Sequence, residues 1–324
     1  MNFQSVNDLC NLIRNNLSKI PSDVDLIVGI PRSGLFVANY IALLMNKPLT
    51  DIDGFISGRI FCSGRTKDTS RNIKSLESCK KVLIVDDSIA SGISIEQCKK
   101  KLDHVYGTIN KIYCVAYALE SSRHMVDICF EILNDPRLFE WNLFSQKLVL
   151  FQTCFDLDGV LCDDPNPEQN DDGEKYRDFI KNAKVKIRPT GIVGFIVTSR
   201  LTKYRELTEE WLTKNHIQYG KLIMLNATAE ERAYNDMHAT FKANCYKKEK
   251  SILFVESERM QAITINYITK KPVYCVETGE FFCGNMAYEI KYESKAKIRA
   301  FFRKSKFFRM LYYKFIKRKK NKSN

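Results

Sequence analysis

Val82-Leu-Ile-Val-Asp-Asp-Ser-Ile-Ala-Ser-Gly-Ile-Ser94 is the stretch that decides how this chain is read. Four consecutive apolar residues, Val82 to Val85, predict a strand buried on both faces, as in a parallel sheet. Asp86 and Asp87 stand where that strand is expected to end. A run of small residues, Ala90-Ser91-Gly92-Ile93-Ser94, follows, with a helix expected from about Ile95. Such a loop turns successive backbone N–H groups toward one point, and the helix N-terminus adds further donors and partial positive charge. Small side chains let a phosphate approach, and Ser91 and Ser94 add hydroxyl donors. Two carboxylates beside a phosphate cradle repel an anion unless they grip sugar hydroxyls or a metal that bridges to phosphate.

Some fifty residues upstream, Asp25-Leu-Ile-Val-Gly-Ile-Pro-Arg-Ser-Gly34 is a second strand running into a Gly/Pro turn, followed by an apolar helix expected over Leu35 to Met45. In this order and at this spacing, the two stretches resemble the type I phosphoribosyltransferases, which use 5-phosphoribosyl 1-pyrophosphate (PRPP). The resemblance implies that Asp86 and Asp87 hold the ribose 2- and 3-hydroxyls with Mg2+ nearby. It assigns the 5-phosphate to Ala90, Ser91, Gly92, Ile93 and Ser94. It assigns the leaving pyrophosphate to Pro31, Arg32, Ser33 and Gly34, with Arg32 as the charged contact. A variable hood over the acceptor is expected near residues 130–145, where Phe139, Trp141 and Phe144 either line it or pack an interface. The polar stretch 57–71 matches the mobile loop of these enzymes or is an ordinary solvated loop.

At 324 residues, with 44% hydrophobic residues, the chain suits two domains. Its 11 cysteines show neither metal-ligand spacing nor a secreted framework, and no signal peptide opens the chain, so they read as reduced thiols in a cytoplasmic protein. No apolar run approaches the roughly 18 residues of a membrane span. The net charge of +13 is unevenly placed: residues 291–324 hold 14 of the 51 Lys and Arg and one of the 38 acids, so the preceding body is neutral.

Near residue 150 the pattern restarts. Leu148-Val-Leu-Phe-Gln-Thr-Cys-Phe155 is expected to be an apolar strand ending in Asp156-Leu-Asp-Gly159. Carboxylates two residues apart at a strand end can converge on one metal ion and one phosphorus, one attacking and the other protonating the leaving oxygen. This resembles motif I of the haloacid-dehalogenase-like (HAD) phosphatases, and the later motifs follow in order. The resemblance makes Asp156 nucleophile and Mg2+ ligand, Asp158 general acid/base and a further residue of the metal site, and Thr198 a phosphoryl-binding hydroxyl. Lys242 is the charge-neutralising lysine, with Lys247, Lys248 and Lys250 as rivals. Glu256 and Glu258 stand where the family favours Asp, and either completes the metal site. The similar Asp51-Ile-Asp-Gly54 reads as a turn.

In the tail, Ile298, Phe301, Phe308, Tyr312, Phe315 and Ile316 fall on one helical face with basic residues mostly opposite, a pattern suited to an anionic membrane surface. A nucleic-acid arm and a solubilising tail are the alternatives. The expected architecture is therefore α/β: a phosphoribosyltransferase fold over 1–148, a HAD-like Rossmannoid fold over 149–288 and a basic amphipathic helix over 289–324.

Joined on one chain, the two chemistries transfer 5-phosphoribosyl to an acceptor and then remove its 5-phosphate, leaving plain ribofuranose. Ala90 stands where purine-salvage enzymes commonly carry an acid, and a membrane-seeking tail suits a lipid-linked glycan acceptor. The arrangement resembles the enzyme pairs that install ribofuranose in bacterial surface polysaccharides, working on the inner face of the cytoplasmic membrane. A nucleobase transferase fused to a nucleotidase, and a PRPP-sensing regulator binding nucleic acid, are the other readings.

Overall fold

In the computed structural model, residues 1–61, 76–228 and 237–284 are described. The chain divides into two compact units, Met1–Trp141 and Asn142–Asn324. The expected basic helix of residues 289–324, and most of the 57–71 stretch, lie outside the described residues.

The first unit contains β1 (Asn2–Gln4), α1 (Val6–Asn16), β2 (Leu26–Gly29), α2 (Ser33–Met45), β3 (Leu49–Asp51), α3 (Ile52–Ile56), β4 (Lys81–Ile89), α4 (Ile93–Leu102), β5 (Asn110–Ala118), β6 (Ile128–Ile132) and β7 (Arg137–Phe139). Five strands form a parallel sheet in the order β3-β2-β4-β5-β6. Alternation along β4 explains its unbroken apolar sequence. Val82 and Ile84 join one core with Leu26, Val28 and Val115, whereas Leu83 and Val85 join the other with Ile27, Cys114 and Ala116. All four are fully buried, a contribution of roughly 1.5–3 kcal/mol for each side chain.

β4 continues four residues past the apolar run. The β2 side of its ladder stops at Gly29–Val85, but β5 keeps pairing through Asp86–Val115, Ser88–Tyr117 and Ile89–Ala118. Asp86 and Asp87 therefore lie inside a strand, at the step where one neighbour departs, rather than beyond its end. Asp51-Ile-Asp-Gly54 is likewise no simple turn: Asp51 ends β3 and caps α3, its carboxylate accepting from Gly54 N–H at 2.6 Å. Helix α1 opens with a reciprocal capping box between Ser5 and Asp8.

The second unit contains α5 (Lys147–Phe151), β8 (Thr153–Phe155), α6 (Glu174–Asn182), β9 (Val193–Leu201), α7 (Arg205–Lys214), β10 (Tyr219–Leu225), α8 (Met237–Lys248), β11 (Leu253–Glu256), α9 (Arg259–Thr269), β12 (Val273–Cys275) and β13 (Phe281–Phe282). Its sheet runs β10-β9-β8-β11-β12-β13, parallel except for the antiparallel last pair. Cys154, Val197, Ala243, Tyr246, Phe254 and Ile265 form its core.

The apolar run before Asp156 is not one strand. Residues 147–151 are helical, with Leu148 and Phe151 exposed, and only Thr153–Phe155 pair in the sheet. The registers supply the reason: β9 and β11 together offer partners only to Thr153, Cys154 and Phe155. The ten cysteines among the described residues are free thiols, and none of the described helices is long and apolar enough to cross a membrane.

Candidate functional site

In the first sheet, β2 leads through α2 to β3 on one side, while β4 leads through α4 to β5 on the other. The crevice at the C-terminal ends of β2 and β4 is thus a topological switch point, where open α/β sheets bind ligands. The Pro31–Gly34 and Asp86–Ser94 segments, both picked out in the sequence, meet there.

Their approach is close. A Cβ on Gly34 would lie 2.7 Å from the Val85 carbonyl oxygen and 2.8 Å from Asp86 Oδ1, so only glycine fits. The Ser33 hydroxyl donates to Asp87 Oδ1 at 2.8 Å, and the Trp141 indole N–H donates to Asp87 Oδ2 at 2.8 Å. Asp87 is 5% exposed. Asp86 is more open, its Oδ1 accepting from Asp87 N–H at 2.9 Å. Burial and the neighbouring Asp87 push the Asp86 carboxyl up to about 8. The Pro31–Arg32 peptide is cis, and Arg32 is exposed.

Gly92 takes φ +81° at the N-terminus of α4, a left-handed conformation that suits glycine, and a Cβ there would meet Met125 at 2.3 Å. The helix begins at Ile93, two residues earlier than expected, so the amides after Gly92 are helix-end donors. Ala90, Ser91, Ile93 and Ser94 are exposed around them.

Phe139 is buried in the core and stacks on Trp141 at 4.8 Å, whereas Phe144 belongs to the second unit and lies 6.1 Å from Phe155.

In the second sheet, β9 and β11 flank β8, and the residues at their C-terminal ends converge. Lys242, in the middle of α8, donates to Asp156 Oδ2 at 2.6 Å, Glu256 Oε2 at 2.8 Å and Gln261 Oε1 at 2.9 Å. All three ammonium donors are used. Asp156, Lys242 and Glu256 are buried. Burial, reinforced by Glu256, raises the Asp156 carboxyl well above the usual range against the pull of Lys242. Burial also opposes the charge on Lys242, but Asp156 and Glu256 outweigh it and hold the ammonium protonated. Asp156 Oδ1 accepts from Leu157 N–H at 2.8 Å, and buried Thr198 accepts from Arg200 N–H at 3.2 Å.

Asp158 stands apart from that trio. Fully buried Arg200 grips it through Nη2 at 2.6 Å and Nε at 3.1 Å. Glu258 is exposed and caps α9, accepting from Met260 and Gln261 N–H at 2.8 Å each. Of the two glutamates, Glu256 is therefore the one beside Asp156. Lys247 and Lys248 lie at the far end of α8. Among the described residues, no group of three or more His, Cys, Asp or Glu side chains is set to hold a metal ion. Lys242 bonds one oxygen of each acid, Asp156 Oδ2 and Glu256 Oε2, and leaves Asp156 Oδ1 and Glu256 Oε1 to other partners.

Arg200, Gln261 and the Trp141–Asp87 bond were not anticipated. Arg200 left a signal: a charged residue directly after the apolar and hydroxyl run of β9 has to find a buried partner. Gln261 and the Trp141–Asp87 bond left none, because the partners are remote in sequence.

Residues 3–150 match the family described as Phosphoribosyl transferase domain. A phosphoribosyltransferase domain thus occupies the first part of the chain. Among solved structures, the chain is similar to a purine phosphoribosyltransferase from Pyrococcus horikoshii, at 18% identity over 44% of this chain and 94% of that one, with a TM-score of 0.33. It is also similar to a xanthine-guanine-hypoxanthine phosphoribosyltransferase from Helicobacter pylori (15%, 44% and 92%, TM-score 0.32) and an orotate phosphoribosyltransferase from Aeropyrum pernix (18%, 39% and 71%, TM-score 0.27). No curated protein matches the sequence.

Proposed function

We propose that the chain transfers 5-phosphoribosyl from PRPP to an acceptor and then removes the 5-phosphate, leaving a ribofuranosyl unit. The observation that carries the first step is the meeting of Ser33, Gly34, Asp86 and Asp87 at the β2/β4 switch point. It sets a pyrophosphate loop against an acidic pair and a helix N-terminus. Breaking the sugar C1–O bond builds positive charge on the ribose and negative charge on pyrophosphate. Asp86 and Asp87 suit the sugar; the backbone of 31–34 and the exposed Arg32 suit the leaving group.

The second step is assigned to the second unit as a HAD-like phosphatase, on the strength of its strand order and the Asp156–Lys242–Glu256 cluster, with Thr198 in the C-terminal half of β9. Asp156 attacks phosphorus, Thr198 donates to a phosphoryl oxygen, and Lys242 balances the charge that accumulates. As the P–O bond to the sugar breaks, Asp158 gives its proton to the leaving sugar oxygen; it then takes a proton from the water that cleaves the Asp156 acyl phosphate and releases inorganic phosphate. The hard carboxylate oxygens of Asp156 and Glu256 fit Mg2+. When bound, the ion would supply charge neutralisation at the phosphoryl group.

A lipid-linked glycan is proposed as the acceptor, in surface polysaccharide biosynthesis, with residues 298–320 resting on an anionic membrane. Exposed Ala90 supports a non-purine acceptor, since it offers no carboxylate to a base. Incubation with PRPP, Mg2+ and an acceptor panel tests the whole scheme. Asp156→Asn should accumulate the 5-phosphorylated product while PRPP consumption continues at the wild-type rate. Release of dephosphorylated product at the normal rate would refute the division of labour. Transfer to nucleobases alone would favour the nucleotide-metabolism reading, and vesicle co-sedimentation that survives deletion of 289–324 would remove the membrane assignment.

A further inference from the structure

Asp87 joins three elements that are far apart in sequence. Ser33 at the start of α2 donates to one carboxylate oxygen, and Trp141, just after β7, donates to the other. The indole is oriented from behind. It stacks on Phe139 at 4.8 Å and 19° and on Tyr117 at 6.4 Å and 24°. Tyr117 is itself buried in β5, with its hydroxyl 3.0 Å from Gln4 Oε1. β7 is pinned by its parallel pairing with β1. The same aromatic ladder reaches the end of β4 a second time: Arg137 lies over Phe139 at 5.6 Å and donates from Nη2 to the Ile89 carbonyl at 3.1 Å.

We propose that Trp141 is a positioning residue for the ribosyl site, acting through Asp87 rather than by stacking on the acceptor. This rests on the PRPP reading above. Each carboxylate oxygen has two acceptor positions. Ser33 and Trp141 use one on each oxygen, and the neighbouring Asp86 carboxyl shares a further hydrogen bond with Asp87, which leaves one acceptor position for a sugar hydroxyl. The two donors hold the carboxylate in a single rotamer before the sugar arrives, so binding does not have to order it. The aromatic stack sets the direction of the indole N–H, and the N–H sets the carboxylate.

The test is calorimetric titration of the full-length protein with PRPP plus Mg2+, and with pyrophosphate plus Mg2+ as a ligand that does not reach Asp87. Trp141→Phe keeps a ring on Phe139 and removes the donor. It should weaken PRPP binding by about fivefold to tenfold, the cost of ordering one side chain on binding, with pyrophosphate affinity unchanged, which separates it from a general loss of folding that would lower both. Trp141→Phe combined with Asp87→Asn should bind no more weakly than Asp87→Asn alone, because both act at one carboxylate. If Asp87→Asn binds too weakly to measure, the comparison of PRPP with pyrophosphate in Trp141→Phe decides alone. Wild-type PRPP affinity in Trp141→Phe, equal losses for PRPP and pyrophosphate, or full additivity with Asp87→Asn would each overturn the proposal. A wild-type protein that does not bind PRPP overturns the parent reading as well.

Discussion

At Asp86, burial and the adjacent Asp87 act in the same direction, holding the carboxyl at about 8 against 3.8 when unfolded. The folded protein therefore binds more protons than the unfolded chain between these values, and stability falls as pH rises through that window. Urea unfolding at pH 5, 7 and 9 should show this decline, and Asp86→Asn should flatten it. Binding has the opposite sign. A sugar hydroxyl that donates to Asp86 favours the ionised acid, so PRPP affinity should increase up to about pH 9 and lose that dependence in Asp86→Asn, read by titration calorimetry. The acidic pair was legible in the sequence as a pair. That its members differ, Asp87 bonded on both oxygens and Asp86 more open, follows from Ser33 and Trp141, residues 54 positions away on either side.

At the scale of elements, apolar runs in the sequence were sound guides to strands and poor guides to their ends. β4 outlasts its apolar stretch because β5 keeps supplying hydrogen bonds, whereas the run before Asp156 shortens to three residues because its neighbours supply so few. Strand length is set by partners, which a local pattern does not contain. The Gly34 turn is a sharper case. Its identity is visible in Ile-Pro-Arg-Ser-Gly, but the need for glycine comes from β4, whose backbone presses against it. Gly34→Ala should displace the 31–34 loop, weakening pyrophosphate binding by at least about tenfold and costing about 1–3 kcal/mol of stability. Titration with pyrophosphate and urea denaturation would measure the two effects.

At the scale of the molecule, each unit has its own sheet and core, which predicts separable responses to mutation. Lys242→Met leaves Asp156 and Glu256 buried without their counter-charge. It should cost the second unit about 3–5 kcal/mol and, on the proposed phosphatase reading, abolish phosphate release. Scanning calorimetry should show one transition lowered and the other unmoved, with PRPP consumption intact. A single shifted transition would mean that the units unfold together.

The sequence alone determined the α/β character of the first domain, the loops at the ends of β2 and β4, and the acids at the ends of β8 and β11, while the compact units divide at Trp141/Asn142 rather than at the expected 148/149. Those features are written in short local patterns: apolar runs, small-residue turns and paired carboxylates. Only the tertiary structure decided which side chains complete each site. Trp141 on Asp87, Arg200 on Asp158, and Lys242 and Gln261 beside Asp156 and Glu256 all join residues from separate elements. Buried polar groups need partners, and those partners come from whichever elements the packing brings near.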